Sequence, residues 1–395
     1  MNTILYREEM KHELHSILQY WTLNTPDEKQ GGFIGRIDGD DQAHPEAPKG
    51  LVLNSRILWA FSAAWRHTGQ WIYRPVATRA YEYLTTYFFD RVSGGAFWSL
   101  DAAGHPLDTR KQIYGQAFAL FGLSEYAHAT GDQAVLDEAI DLYGIIEKHS
   151  FDPVHGGYFE AYDRDWQPLD DPRLSEKDLG EPKTMNTHLH ILEAYTALYR
   201  VWPDKRLRPQ IRRLLEVFDR HIIDPATGHL GLFFTADWQS RSGLISYGHD
   251  IEAAWLLHEA ALAIGDSGWT DRMAALCLQI ADITLEGMDK DGGLWYEKDG
   301  DHWVREKHWW PQAEAMIGFL RAWALSGDDR WWKASTNAWS FVKRYLRDPA
   351  GKEWYWGVDA NHVPMRRRDK AGFWKCPYHN SRACLETIVT LEKIP

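Results

Sequence analysis

The segment GFWKCPYHNSRACLET, residues 372–387, places four reactive side chains within nine positions: Cys376, His379, Arg382 and Cys384. Such side chains could form half of a metal site, a thiol nucleophile beside its base, or an acid–base histidine near a helix start. A zinc site favours closely paired Cys-x-x-Cys units, and Cys384 lies more than a helical turn beyond His379, so the spacing disfavours a metal. The other two chemistries stay open for the segment taken alone.

Similar polar groups stand at the starts of five earlier apolar segments. His249 and Glu252 are three residues apart on one helical face, so the carboxylate is expected to orient the ring or to contact a substrate. His188 and His190 are two apart and point to different helix faces, which does not suit one metal ion. The full candidate set comprises Asn54, Arg56, Tyr114, Gln116, Asn186, His188, His190, His249, Glu252, Trp309, Trp310, Gln312, Glu314, His379 and Arg382.

This set of side chains fits proton transfer on a sugar. Moving a proton at the carbon next to a carbonyl requires a base and a group that stabilises the enediolate, and inversion requires a second acid–base group on the opposite face. His249 and His379 come from distant segments and could serve the two faces. A glycoside hydrolase with Glu252 or Glu314 as its acid is the alternative chemistry, and a non-catalytic sugar-binding protein is a third reading.

A repeat along the chain predicts how these residues are positioned. An Asp-containing turn followed by glycines and alternating aromatics begins at Asp27, Asp90, Asp152, Asp224, Asp289 and Asp348, in steps of 63, 62, 72, 65 and 59 residues. A near-constant period of this kind is typical of a repeat architecture. Each turn is followed by an apolar helical segment, and most of these segments end in Gly or a polar turn. Between turns lies a second, more amphipathic segment.

Six buried and six amphipathic helices in alternation predict an all-α fold, one (α/α)6 barrel with an inner and an outer ring. Short aromatic β-hairpin-like turns then gather at the rim where the inner helices begin, and so do the candidate residues. The positive end of each inner helix disfavours imidazolium, so His249 and His379 are expected to be neutral. His67, His128 and His258 fall near the other helix ends and are predicted to be structural. We expect one domain over residues 1–395.

Composition excludes several classes of protein. The 395 residues carry 56 acidic and 44 basic side chains, a net charge of −12 without a Lys/Arg run, which argues against a nucleic-acid partner. Neither a signal peptide nor a membrane-spanning segment is expected. Three cysteines form no disulfide framework and favour a reducing compartment, the cytoplasm. Twenty-one tryptophans are typical of carbohydrate sites or of an aromatic-rich core.

Five motifs carry a resemblance to the N-acylglucosamine 2-epimerase superfamily, most closely to its cellobiose 2-epimerase branch. They are LNSRILWAF from Leu53, MNTHLHILEAY from Met185, GHDIEAAWLL from Gly248, HWWPQAEA from His308 and WKCPYHNSRACLE from Trp374. The resemblance covers the whole chain. It implies the (α/α)6 barrel and reversible epimerisation at C2 of an aldose, with no cofactor, no metal, no membrane partner and a monomeric state.

The resemblance also implies roles for particular residues. His249 would take or return the C2 proton on one face and His379 on the other, with His379 and the third essential histidine, His190, assisting ring opening. The substrate-binding residues would be Arg56, Tyr114, Asn186 and Glu252, with Trp310 and Trp374 as aromatic platforms for the sugar rings. Cys376 and Cys384 are then packing residues, and Arg382 an orienting or structural one.

Mannose 2-epimerases and aldose–ketose isomerases of the same superfamily share these motifs and remain alternatives. In N-acylglucosamine 2-epimerases the site must also admit an acetamido group, and the segment around His379 resembles theirs less. The choice depends on the rim loops, of which residues 163–184 form the longest. We expect this loop to act as a lid that contacts a second sugar.

Overall fold

Six helices that are buried along most of their length form the inner ring. In the computed structural model, which describes residues 1–350 and 353–393, each packs against the next and the last packs against the first. They are α2 (Leu51–Thr68), α4 (Ile113–Thr130), α6 (Met185–Val201), α8 (Tyr247–Ile264), α10 (Trp309–Ser326) and α12 (Tyr378–Glu392). The predicted (α/α)6 barrel is confirmed.

The outer ring is built from the more amphipathic segments. Its members are α1 (Thr3–Asn24), α3 (Arg74–Tyr83), α5 (Gln133–His149), α7 (Leu207–Val217), α9 (Ser267–Thr284) and α11 (Asp329–Phe341). Five of them follow an inner helix in the chain and pack against it, whereas α1 packs against α12. The N-terminal helix therefore closes the outer ring beside the C-terminal inner helix.

A Gly-Asp pair makes three of the tight links from inner to outer helix. Gly131, Gly265 and Gly327 end α4, α8 and α10 with positive φ, a conformation that glycine adopts without steric cost. The next residue is in each case an aspartate whose carboxylate accepts a backbone N–H from the first turn of the outer helix, as an N-cap does: Asp132, Asp266 and Asp328. These two residues reverse the chain in the space of one turn.

Short strands join neighbouring repeats at the rim. They are β1 (Lys49–Gly50), β2 (Ser99–Leu100), β3 (Pro106–Asp108), β4 (Lys111–Gln112), β5 (Ala161–Tyr162), β6 (Lys183–Thr184), β7 (Phe233–Phe234), β8 (Ile245–Ser246), β9 (Glu297–Asp299), β10 (His302–Val304), β11 (Lys307–His308) and β12 (Gly357–Val358). The strand before an inner helix pairs antiparallel with a strand of the next repeat, as β1 does with β2 and β11 with β12. A bridge between Ile37 and Ala371 joins the first repeat to the last.

Buried lysines fasten five of the six aspartate turns. Each ammonium donates to the aspartate that begins the repeat, and four of these lysines lie two residues before an inner helix. The pairs are Lys49–Asp27, Lys111–Asp90, Lys183–Asp152, Lys307–Asp289 and Lys370–Asp348. In the fourth repeat the corresponding position is Ile245. In the sixth turn, Gly351 and Lys352 lie outside the described residues.

Within the part of the chain that the structure describes, no helix is long and apolar enough to cross a membrane.

Candidate active site

The first turns of the inner helices bring the predicted residues together at the rim. Arg56 of α2 donates from a terminal guanidinium nitrogen to the Tyr114 hydroxyl of α4 at 2.8 Å. The Tyr114 ring meets the His190 ring of α6 edge-on, with centroids 5.1 Å apart. Trp310 of α10 lies 4.6 Å from the His249 ring and 5.7 Å from the His379 ring. All six inner helices therefore contribute side chains to one candidate site, called the pocket below.

His249 and His379 are both held as neutral rings. Burial lowers the pKa of His249 to about 3, with a smaller contribution from His190. Burial also lowers the pKa of His379 well below its usual range, and Arg56 and Arg382 add to the effect. His249 Nδ1 lies 2.8 Å from the Ser246 hydroxyl, and His379 Nδ1 lies 2.7 Å from the Glu314 carboxylate. Since both Nδ1 atoms are engaged, Nε2 is the atom of each ring that is left for chemistry.

Glu252 does not orient His249, so that expectation is wrong. Although the two residues are one helical turn apart, the Glu252 carboxylate accepts a hydrogen bond from Arg382 of α12, and Ser246 takes the place beside His249. Burial and the neighbouring Glu314 raise the pKa of Glu252, Arg382 acts in the opposite direction, and the net result is a pKa of about 7. The other expected role for Glu252, contact with a substrate, remains a prediction.

Arg382 occupies the centre of a carboxylate cluster below the pocket. Its guanidinium donates to Glu193, to Glu252 and, at 2.7 Å, to Glu314. Glu314 also accepts from the indole N–H of Trp255 at 3.1 Å. With a side chain that is 1% exposed, Arg382 neutralises charges that would be costly to bury alone. Of the two roles expected for it, orienting fits these contacts.

Sequence reasoning missed Glu193 and Ser246. Glu193 Oε2 lies 3.0 Å from His190 Nδ1, and the same carboxylate accepts from the Tyr378 hydroxyl at 2.6 Å. The available signal was spacing, because Glu193 follows His190 by three residues on α6 and Ser246 precedes His249 by three. The same spacing suggested the wrong partner for His249, so it identifies such pairs only together with the fold.

Some polar residues of the inner helices fasten the rim and do not face the pocket. The Gln116 amide pairs with both backbone groups of Ala96, at 2.7 and 2.8 Å. His188 Nε2 accepts the Tyr158 backbone N–H at 2.8 Å. Gln312 Oε1 accepts that of Leu294 at 2.7 Å. Each is the fourth residue of its helix and satisfies the backbone of an aromatic turn, so the sequence overcounted the site by including these three residues.

The walls of the pocket combine aromatic rings with unpaired polar atoms. Trp374 is partly exposed, and its ring centroid lies 6.1 Å from that of Tyr114. Asn186 Oδ1 and Arg56 Nε are buried and have no hydrogen-bond partner among the described residues. A buried polar atom without a partner is costly, and the hydroxyls of a bound sugar would satisfy such atoms. Contact of these residues with a sugar remains a prediction.

The three cysteines are buried free thiols. Cys376 Sγ lies 3.8 Å from a guanidinium nitrogen of Arg56, at the edge of the pocket. His379 Nδ1 is engaged by Glu314, not by a thiol, which is not the arrangement of a cysteine nucleophile with its base. In the opening segment, acid–base chemistry by His379 is therefore the option that fits the geometry.

Glu252, Glu314 and His379 lie close enough together that their ligand atoms could reach one metal ion. However, both carboxylates already accept hydrogen bonds from Arg382, and Glu314 also accepts from His379. A cation would have to displace a guanidinium charge that the cluster needs. The donor set fits an ion-pair network better than a metal site.

A second cavity, of about 230 Å³, opens at the opposite end of the barrel and contains His67 and His128 in its lining. There Arg66 donates to Glu125 at 2.6 Å and to His67 Nε2 at 2.9 Å. Arg66, His67 and His128 belong to the last turns of α2 and α4, at the negative helix ends. Their distance from the rim agrees with the structural role predicted for both histidines.

Comparison with known proteins places the geometry in a family. A model of the N-acylglucosamine 2-epimerase (GlcNAc 2-epimerase) family matches residues 32–383. The chain belongs to this family. A cellobiose 2-epimerase of Bacteroides fragilis is 48% identical over 98% of this chain and 100% of its own length. Another, from Dictyoglomus turgidum, is 39% identical over 98% of both chains.

The solved structure of cellobiose 2-epimerase from Bacillus thermoamylovorans B4167 superimposes on this chain with a TM-score of 0.93, at 40% identity over 98% of this chain and 100% of that one. Together these findings confirm the predicted family, its barrel and a carbohydrate epimerase. The specific sugar and the part that each residue takes are matters of proposal.

Proposed function

We propose that this chain is a cellobiose 2-epimerase, which interconverts glucose and mannose at the reducing end of β-1,4-linked disaccharides. Cellobiose would give 4-O-β-glucosyl-mannose, and lactose would give epilactose. The observation that carries the proposal is the pair of neutral histidines, His249 and His379, presented from different helices beside the same tryptophan, Trp310. The full-length likeness to cellobiose 2-epimerases supports it.

In the proposed reaction, the sugar opens to its aldehyde form and one histidine removes the C2 proton through Nε2. The electron pair moves into an enediolate, whose O1 and O2 charge Arg56 stabilises. The other histidine then returns a proton to the opposite face of C2, so that one proton is lost and one gained. The pair must share one added proton for this, and Glu314 beside His379 is the group that stabilises an imidazolium.

The test is proton NMR of reactions in D2O with EDTA, using cellobiose and mannose in separate tubes. We expect the epimer of cellobiose with deuterium at C2 and slower conversion of mannose. Faster turnover of mannose would reassign the chain to the mannose 2-epimerases, and a ketose product would reassign it to the isomerases. Release of glucose from cellobiose would make Glu252 and Glu314 the residues to study. Activity that EDTA abolishes would contradict a metal-free mechanism.

The loop of residues 163–184 is proposed to recognise the second sugar. It leads into α6, yet the Lys177 ammonium lies 5.4 Å from the ring of Tyr296, in the turn that precedes α10. Since α8 stands between α6 and α10 in the inner ring, the loop reaches past the start of the helix that carries His249. Gln112 donates to the carbonyl oxygens of Pro172 and Arg173 and so anchors the middle of the loop.

Deleting residues 170–179 and closing the gap with Gly-Gly should therefore weaken disaccharide binding selectively. We expect KM for cellobiose to rise about tenfold, as for the loss of one set of sugar contacts, while kcat/KM for mannose changes less than about threefold. Initial rates for both sugars give the comparison. Glu176→Ala, an exposed change within the same loop, is the matched control. Equal effects on both sugars would show that the loop does not sense the second ring.

A further inference from the structure

Glu193 is a buried carboxylate of the pocket that the proposed reaction leaves without a role. It lies on α6 one turn after His190, and its Oε2 is 3.0 Å from His190 Nδ1. The side chains of the two residues are only 3% and 5% exposed. Tyr378 and Arg382 of α12 donate to the same carboxylate. Glu193 therefore connects His190 of α6 to two side chains of α12.

The charge of Glu193 fixes where the proton of His190 sits. Burial would raise the pKa of Glu193, but Arg382 and His190 outweigh burial and hold this pKa below its ordinary value. An ionised carboxylate can only accept a hydrogen bond, so His190 carries a proton on Nδ1, and the tautomer this selects is the one whose free electron pair is on Nε2. The ring is held in place by Tyr114 edge-on and by Phe118, whose centroid is 4.5 Å away.

This arrangement distinguishes His190 from His249. The partner of His249 Nδ1 is the hydroxyl of Ser246, which can donate or accept and therefore does not by itself fix a tautomer. His190 and His379 each face a carboxylate, and Arg382 donates to both of these carboxylates, Glu193 and Glu314. His379 is assigned to C2 in the proposed reaction, and the family resemblance assigns His190 to ring opening, without saying what holds its ring for that step.

We propose that Glu193 is a positioning residue that holds His190 as the base for opening the sugar ring, an inference that rests on the proposed function. The anomeric O1 and the ring oxygen O5 are both bonded to C1, so one nitrogen can reach both. His190 Nε2 takes the proton of the O1 hydroxyl, the C1–O5 bond breaks as the C1=O1 double bond forms, and the same proton is delivered to O5. No proton is gained from or lost to solvent.

Three variants test this step: Glu193→Gln, Glu193→Asp and, as the matched control, Glu125→Gln, a carboxylate of similar burial on α4 that pairs with Arg66. In Glu193→Gln, the side-chain amide can donate to Nδ1 and so move the ring proton to Nε2, where it blocks the base. We expect kcat for cellobiose to fall about 100-fold, at the upper end for the loss of a group that orients an active histidine. The aspartate variant, which keeps the carboxylate, should stay within about tenfold of wild type, and the control within about twofold.

The kinetic isotope effect with cellobiose deuterated at C2 separates this role from a general loosening of the pocket. If ring opening becomes slow, removal of the C2 proton no longer limits the rate, and the isotope effect on kcat falls towards one in the glutamine variant. A lower kcat with an unreduced isotope effect above one overturns the proposal, as does an unchanged kcat.

A measurement on the wild-type protein tests the same proposal and does not depend on whether the Glu193 variants fold. Nitrogen-15 NMR of histidine-labelled protein reports the tautomer of His190, which is assigned as the signal lost in His190→Asn. A proton on Nδ1 is expected, and a proton on Nε2 overturns the proposal. If the wild-type chain epimerises none of the sugars, the proposed function is wrong. If it epimerises them normally but His190 carries its proton on Nε2, only this inference is wrong.

Discussion

Replacing His379 with asparagine should lower kcat for C2 epimerisation by about 10²–10⁴-fold, and His249→Asn should do the same. Inversion at C2 requires a proton to leave one face and another to arrive at the opposite face, so neither histidine can replace the other. The change removes the titrating nitrogens but keeps a polar side chain of smaller size. Thermal unfolding of both variants, together with His128→Asn at the far end of the barrel, checks that the fold survives.

The two variants should differ in hydrogen exchange. A variant that keeps only one of the two histidines can still remove and return the C2 proton on one face, which exchanges that hydrogen with solvent without inverting the carbon. In D2O, each variant should therefore place deuterium at C2 of one epimer only, and the two variants should choose opposite epimers. Proton NMR of recovered cellobiose and of recovered 4-O-β-glucosyl-mannose shows the pattern and assigns each histidine to its face. Exchange of both epimers by either variant would contradict the two-base reaction.

The barrel could be predicted from the sequence because its determinants are local. The repeated aspartate turns, the apolar inner helices and the Gly-Asp links such as Gly131–Asp132 are each read from a few neighbouring residues. A regular period then implies a closed ring. Register within that ring also brings the N-terminal ends of all six inner helices to one rim, which is where the predicted histidines lie.

Partners across the barrel could not be predicted, because they depend on which helix faces which. Arg382 of α12 donates to Glu193, Glu252 and Glu314, which lie on three other helices. They precede it in the sequence by 189, 130 and 68 residues. Local spacing therefore favoured a His249–Glu252 pair, whereas in the structure the Glu252 carboxylate accepts a hydrogen bond from Arg382. The lysines that fasten the aspartate turns were not predicted either: Lys49 and Asp27 are 22 residues apart, and their pairing depends on how the turn folds back on the strand before the inner helix.

Arg382→Met should lower the free energy of unfolding by about 3–5 kcal/mol, the usual cost of leaving buried charges without their partner. Methionine keeps much of the apolar volume that now packs on Tyr378, 4.1 Å from the guanidinium, and on Trp255, at 4.9 Å. What is lost is the positive charge that three carboxylates share. Activity should fall as well, because Glu314 would no longer be fixed beside His379.

The loss of stability should depend on pH, and its sign follows from the carboxylates. Arg382 holds down the pKa of both Glu252 and Glu314, which burial raises, Glu252 to about 7 even with the arginine present. Without Arg382 these groups stay protonated in the folded protein to still higher pH, while in the unfolded chain they ionise near pH 4.5. The folded state then binds more protons than the unfolded state above that pH, so stability falls as pH rises.

Urea unfolding at pH 5 and pH 8 provides the measurement. At pH 5 the carboxylates around position 382 are largely protonated in the folded Arg382→Met variant, so its free energy of unfolding should be only slightly lower than that of wild type. At pH 8 the difference should approach the full 3–5 kcal/mol, about the cost of buried charges without a partner. Arg66→Met is the matched control, since it breaks a partly exposed pair with Glu125 that is worth about 1 kcal/mol or less. An equal deficit at both pH values would mean that packing against Tyr378 and Trp255, not charge, is what Arg382 supplies. A deficit that grows with pH would instead establish that the charge of the Arg382 guanidinium stabilises the ionised form of the buried carboxylates around it.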